Sequence, residues 1–159
     1  MFCSTIHTKF FGLLGNPLGQ SAAAFMHNSV YQKMGIDALY SPLEIEMADL
    51  EHVIANMERF HYAGSGVTMP FKTQAHKYLD GLADSAKYTE VVNTIVIDDS
   101  GKKIGHNTDG VGFVKSLQEQ LGLNIPDHRY LILGSGGAGT AIACALAMGG
   151  AKKMRSLCI

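Results

Sequence analysis

Three short polar clusters carry the residues of this chain best suited to chemistry. They are Gly66-Val67-Thr68-Met69-Pro70-Phe71-Lys72, Val92-Asn93-Thr94 and His106-Asn107-Thr108-Asp109-Gly110. Between them they hold a lysine, an aspartate, two asparagines and three threonines, each cluster near a predicted strand end. Such a set can grip a polyhydroxylated small molecule and move one of its protons. About 25 residues further on comes Gly134-Ser135-Gly136-Gly137-Ala138-Gly139, a possible dinucleotide loop. A proton-transfer site followed by a hydride-carrier site points to a dehydrogenase.

Each residue has a plain structural reading beside the chemical one. Lys72 follows Pro70 and Phe71 at a predicted strand-to-helix turn, where α/β proteins place their ligands. A lysine there acts as acid or base if burial and neighbours tune it; otherwise it is a solvated helix start. Asp109 either caps the helix that follows or orients a substrate hydroxyl beside the charged lysine. Asn93 lies in an apolar strand pattern, so it makes either a structural hydrogen bond or a ligand contact. Thr68 suits a strand on propensity alone. Ser21 reads equally well as a helix cap. The seven histidines are scattered without metal-ligand spacing, so no metal site is expected.

The loop matches G-x-G-x-x-G through Gly134, Gly136 and Gly139, after an apolar strand and at the start of a helix. Glycines there allow a tight turn and close approach of backbone N–H groups to a pyrophosphate. The residue that chooses NAD or NADP belongs about 20 residues later, after a second strand. The tail Ala151-Lys152-Lys153-Met154-Arg155-Ser156-Leu157-Cys158-Ile159 does not read as that strand. The expectation is therefore one βα unit of a truncated cofactor domain.

The elements that must position these residues follow from periodicity and punctuation. Residues 10–14 read as a buried first strand, closed by Gly15-Asn16-Pro17-Leu18-Gly19. The next helix is expected to turn Phe25, Met26, Ser29, Val30 and Met34 to one face and to stop at Gly35. Strands are expected at 38–45, around 66–69, at 91–97 and at 102–105, with a hairpin turn at Asp98-Asp99-Ser100-Gly101. Leu50, Val53, Ile54, Met57 and Phe60 predict an amphipathic helix. Further helices are expected to about Leu79, over 81–88 and over 110–121, the last with Val114 and Leu117 inward. Residues 130–133 complete the strands, and an Ala-rich helix follows to about Met148. Alternating strands and helices predict an α/β fold, a mostly parallel sheet flanked by helices, followed by the incomplete βα unit.

With 159 residues, 47% hydrophobic and 17% charged, the chain is globular. Net charge is −1 and no basic block occurs, which excludes nucleic acid as the expected partner. Cys3, Cys144 and Cys158 are odd in number and widely spaced, the pattern of a reduced cytoplasmic protein. The first apolar run is too short for a signal peptide or a membrane span.

In this order the clusters resemble the shikimate dehydrogenase family with its quinate-dehydrogenase relatives. The resemblance runs from Gly15-Asn16-Pro17-Leu18-Gly19-Gln20-Ser21 through Met26-His27-Asn28, the Thr68–Lys72 segment, Glu90-Val91-Val92-Asn93-Thr94 and the Asp109 cluster to the glycine loop. It implies a substrate domain over 1–110, a linking helix and turn over 111–127, and the start of an NAD(P)-binding Rossmann domain over 128–159. It implies reversible NADPH-dependent reduction of 3-dehydroshikimate to shikimate, with NAD also possible and a shikimate-like acid as the only ligand partner. Lys72 is similar to the catalytic lysine and Asp109 to its partner. Ser21, Thr68 and Asn93 match substrate contacts, and Gly134, Gly136, Gly137, Ala138 and Gly139 match the cofactor loop. Ala23 and Ala24 stand where the family has hydroxyl-bearing Ser or Thr and then Pro, and Gly66 stands where it has Asn. Quinate or another ring acid therefore remains open as substrate. So does a non-catalytic remnant that keeps the ligand pocket. The chain alone is expected to turn over little or nothing.

Overall fold

The computed structural model describes residues 4–19 and 21–158; Cys3, Gln20 and Ile159 lie outside the described residues. The chain begins with β1 (Lys9–Gly15), α1 (Ala23–Met34) and β2 (Ala38–Glu44). A short 3₁₀ turn leads into α2 (Leu50–Asn56), and β3 (Tyr62–Val67) follows. After two more 3₁₀ turns come β4 (Gly81–Leu82), α3 (Asp84–Lys87), β5 (Thr94–Ile97) and β6 (Lys103–His106). Then come α4 (Asp109–Leu121), β7 (Arg129–Leu133), α5 (Gly137–Met148) and β8 (Lys153–Leu157).

The first six strands form one sheet in the order β2-β1-β3-β5-β6-β4. β1 pairs in parallel with β2 and β3, and β4 with β6, while β5 runs antiparallel to both its neighbours. This is the expected mostly parallel sheet, with antiparallel pairing entering through the hairpin. Asp98 holds that hairpin, accepting from the Ser100 and Lys102 N–H groups and the Ser100 hydroxyl.

Alternation along β1 explains why both faces are covered. Leu14 joins Leu50, Ile54, Val67, Phe71, Val92 and Ile95 beneath α2. Leu13 turns the other way and meets Leu18 and Tyr40 beneath α1.

Several expectations are corrected. α1 turns Ala23, Ala24 and Tyr31 inward, and its Asn28 side chain grips the Tyr40 backbone at both N–H and C=O, 2.8 Å each. Phe25, Met26, Val30 and Met34, expected on one face, share the outward one, exposed at 77%, 60%, 49% and 67%. Small alanines let the helix lie close to the sheet, and the Asn28 clamp fixes its rotation. Ser21 does not cap through its own position: the N-cap is Ala22, and Ser21 Oγ accepts from the Ala23 N–H at 3.3 Å. Gly35 ends α1 at φ 66, as expected.

The amphipathic helix stops at Asn56 and passes into a 3₁₀ turn, which His61 ends at φ 59; Leu50, Ile54 and Met57 are buried but Phe60 is not. β3 starts earlier than expected because pairing to β1 and β5 recruits Gly64 and Ser65, whose own strand propensity is poor. The helix expected to Leu79 is two 3₁₀ turns, Phe71–Thr73 and Ala75–Tyr78. The helix over 81–88 is a two-residue strand and one α turn. β5 is shorter than 91–97, since Val91 and Val92 are buried before it begins. Val114 and Leu117 of α4 are half-buried, and only Gly110 of that helix is fully covered.

The tail is the largest correction. Residues Lys153–Leu157 are β8, a parallel partner of β7 in register Arg129↔Lys153 to Leu133↔Leu157. The second sheet is therefore a complete βαβ unit. The tail's charged sequence hid this, because backbone pairing to an existing strand outweighs weak local propensity. α5 packs on α4 at Gly110, where an added methyl would stand 2.5 Å from Ala141 O and 2.8 Å from Ala145 Cβ.

Candidate active site

Lys72 owes its position to the residue before it. Phe71 is fully buried and opens the 3₁₀ turn that follows β3. The turn is tied down on both sides: Phe71 N–H donates to Thr68 O, and Val92 N–H donates to Lys72 O at 2.8 Å. The lysine side chain therefore leaves the carboxyl end of a central strand and runs toward the start of α4. There Nζ donates to Asp109 Oδ2 at 2.7 Å, with the two side chains only 19% and 26% exposed.

Asp109 does not cap α4. It is the first helical residue, after Thr108 at the N-cap, and no side-chain cap bond is made there. Its second oxygen accepts from Asn93 Nδ2 at 2.6 Å. Asn93 in turn accepts at Oδ1 from the Thr108 N–H and the Thr94 hydroxyl. The structural and chemical readings of Asn93 thus coincide: it locks two loops together and orients the carboxylate. An ammonium is held beside a carboxylate whose far oxygen is already saturated, so the lysine position is over-determined.

Asn107 was not singled out from the sequence and is a main support of this arrangement. It is 2% exposed. Its amide donates to Val91 O at 2.9 Å, and its oxygen accepts from the Asp109 N–H at 3.0 Å. Its signal in the sequence was only its place beside Thr108 and Asp109 at a strand end.

The glycine loop lies against the same lysine. A methyl at Gly137 would stand 3.2 Å from Val91 Cγ1 and 3.5 Å from Lys72 Cβ. Gly134 adopts φ 105, which glycine alone tolerates well. Gly139 has to lack a side chain, because a methyl there would meet Gly134 O at 2.5 Å. The loop's mouth is open: at Gly134 and Gly136 an added methyl would meet nothing within 4 Å. α5 starts at Gly137 with no side-chain cap, so its first N–H groups are available to an anion. The loop therefore offers free backbone N–H groups at an open, glycine-lined turn.

Thr68 sits at the same strand end, its N–H bonded to Leu14 O and its methyl pressed over Gly15. Ser21 is exposed, at the entry to α1. The hydrogen bonds of the described residues unite Lys72, Asp109 and Asn93; they do not extend that network to Ser21 or Thr68. A separate cavity of about 640 Å³ lies where α3, α4 and α5 meet, lined by Val111, Val114, Cys144 and Met148. Its lining carries an exposed Lys115–Glu119 pair at 3.7 Å in place of a shielded one. Among the described residues no group of three metal-ligating side chains occurs, and no helix is long and apolar enough to cross a membrane.

Residues 13–95 match the family described as shikimate dehydrogenase substrate binding domain. The chain is 38% identical over 153 residues to the NADP(+) shikimate dehydrogenase of Alkaliphilus oremlandii, a match covering 96% of this chain and 53% of that protein. It is 38% identical over 152 residues to the same-named enzyme of Streptococcus suis, covering 96% and 52%. Its fold superimposes on shikimate 5-dehydrogenase from Listeria monocytogenes, solved in complex with shikimate and NAD, with TM-score 0.90, 36% identity and coverage of 98% and 53%. The chain spans about half the length of the curated relatives it matches. The family model covers just over half of the chain, and the chain belongs to the shikimate dehydrogenase substrate binding domain family.

Proposed function

We propose that this chain carries the substrate and proton-transfer half of an NADP-dependent dehydrogenase acting on shikimate or a closely similar ring acid. The observation that carries this reading is the Lys72–Asp109 pair at 2.7 Å with Gly137 of the nucleotide loop against the lysine side chain. Residues 1–110 form the substrate unit, 111–127 the link and 128–159 the cofactor unit. NADP is the expected dinucleotide, as in the names of the curated relatives.

A nicotinamide dinucleotide held by the backbone N–H groups of the glycine loop would supply or take the hydride. In the reducing direction the Lys72 ammonium gives its proton to the carbonyl oxygen as alkoxide character develops. In the oxidising direction a neutral Lys72 amine takes the hydroxyl proton as hydride leaves. Asp109 holds the lysine in place. Asn93 keeps the carboxylate turned toward Lys72. Thr68 and Ser21 line the pocket and bind ring hydroxyls or the acid group.

The test is a titration of ¹⁵N-labelled chain with shikimate and, separately, with NADP. The expected result is saturable shift changes at Lys72, Asn93 and Asp109 for shikimate and at Gly134–Gly139 for NADP. Loss of the shikimate response in Lys72→Met with an unchanged fold supports the assignment. An undiminished response in that variant removes it.

A further inference from the structure

Glycine inside a strand usually marks the close approach of another group. In β3 the group approaching Gly66 is the hydroxyl of Tyr40, which would stand 2.5 Å from a methyl added there, with Leu13 Cδ1 at 3.1 Å. Tyr40 is not free to give way. Its ring stacks on His27 with centroids 4.3 Å apart and planes 13° from parallel. Asn28 clamps its backbone from both sides, and the residue is 7% exposed. A side chain at 66 and the hydroxyl of Tyr40 therefore compete for one space, and here the hydroxyl holds it.

That space adjoins the proposed pocket. Gly66 and Thr68 share a face of β3, about 7 Å apart along the strand. Leu18 touches both sides, packing with Tyr40 and standing against Gly15 beside Thr68. Ala23 and Ala24 close the cluster from α1, just after Ser21. The surroundings are thus mostly apolar, and burial pushes the Tyr40 phenol up to about 12, so it is a proton-bearing donor at any physiological pH. In the sheet order, Tyr40 lies on the β2 side of β3, whereas Asn93 and Asp109 lie on the β5 and β6 side. To meet Tyr40, a ring bound with its reacting hydroxyl at Lys72 would have to extend across β3 toward the β2 side.

We propose that Tyr40 is a specificity-determining residue of this pocket, its O–H donating to the carboxylate of the bound ring acid at the end remote from Lys72. This rests on the reading of the pocket given above. Tyr40 takes over a polar contact that Ala23 and Gly66 cannot make, and Gly66 is required because only glycine leaves room for it.

The experiment compares shikimate with its methyl ester, titrated by NMR into wild type, Tyr40→Phe and Gly66→Ala. Wild type should bind the acid more tightly than the ester. Tyr40→Phe should weaken the acid about tenfold and the ester much less, as for loss of a hydrogen bond to a charged group. Gly66→Ala, whose methyl crowds the hydroxyl, should lower the acid-to-ester ratio in the same direction. Equal weakening of both ligands, or of neither, in folded Tyr40→Phe overturns the proposal and assigns the hydroxyl a purely structural role. Wild type that binds neither ligand overturns the pocket reading itself. Wild type that binds both equally overturns only the carboxylate contact.

Discussion

Lys72 Nζ and Asp109 Oδ2 stand 2.7 Å apart across 37 residues of chain, one in the 3₁₀ turn after β3 and the other in the first turn of α4. The pair is mostly shielded, so its partners depend on each other more than an exposed ion pair would. Asp109→Ala strands a lysine in a half-buried place. It is expected to cost about 1–3 kcal/mol in urea unfolding. Asp109→Ala in a Lys72→Met background should cost less, and a double-mutant cycle showing no coupling would contradict the pairing.

Asn107 carries a second dependence. Its amide is the partner of Val91 O, and its oxygen holds the Asp109 N–H. Asn107→Ala leaves both groups buried without partners, an expected loss of about 1–3 kcal/mol. Amide exchange should quicken at Asp109 and the start of α4 before it quickens in β1. A uniform effect across the chain would argue against a local tie.

Gly110 sets the distance between α4 and α5. An added methyl would meet Ala141 O and Ala145 Cβ well inside contact distance. Gly110→Ala is expected to cost about 1–3 kcal/mol through overpacking and to loosen the β7-α5-β8 unit. Gly112→Ala, one turn position on with nothing within 4 Å, is the control and should be neutral or slightly stabilising. Equal loss in both would place the crossing elsewhere.

Glu90 is one of the non-glycine residues in the left-handed region, at φ 55, and its carboxylate lies 3.8 Å from His76 Nε2. Relief of the backbone conformation should outweigh the loss of that long, half-exposed contact. Glu90→Gly is expected to raise stability by up to about 1 kcal/mol. A lowered melting temperature would show that the carboxylate contributes more than the backbone costs.

Stability should also fall at high pH through Tyr40. Burial raises its phenol from 10.0 to about 12 in the folded chain. Between those values the unfolded chain releases the proton while the native chain keeps it, so the unfolded state binds fewer protons and stability drops as pH rises. The contribution is intact below pH 10 and lost by about 12. Tyr31, raised in the same sense by burial, adds to the slope. Tyr40→Phe should flatten the alkaline limb of the unfolding curve.

Residue types and local spacing already carried much of this protein. Hydrophobic alternation and turn residues located β1, β2, the 98–101 hairpin and the Gly35 stop, because these depend on neighbours within a few residues. The order of Thr68, Lys72, Asn93, Asp109 and the glycine loop pointed to one family. Tertiary structure decided the rest. It chose which face of α1 turns inward, since the Asn28 clamp on β2 outweighs the helix's own apolar stripe. It made a strand of Lys153–Leu157, because a paired backbone overrides a charged sequence. It also showed that Asp109 pairs rather than caps, that Asn107 holds it, and that Tyr40 fills the room left by Gly66. Apart from the local Asn107–Asp109 bond, those facts join residues far apart in the chain, and only packing of the sheet brings their atoms within bonding distance.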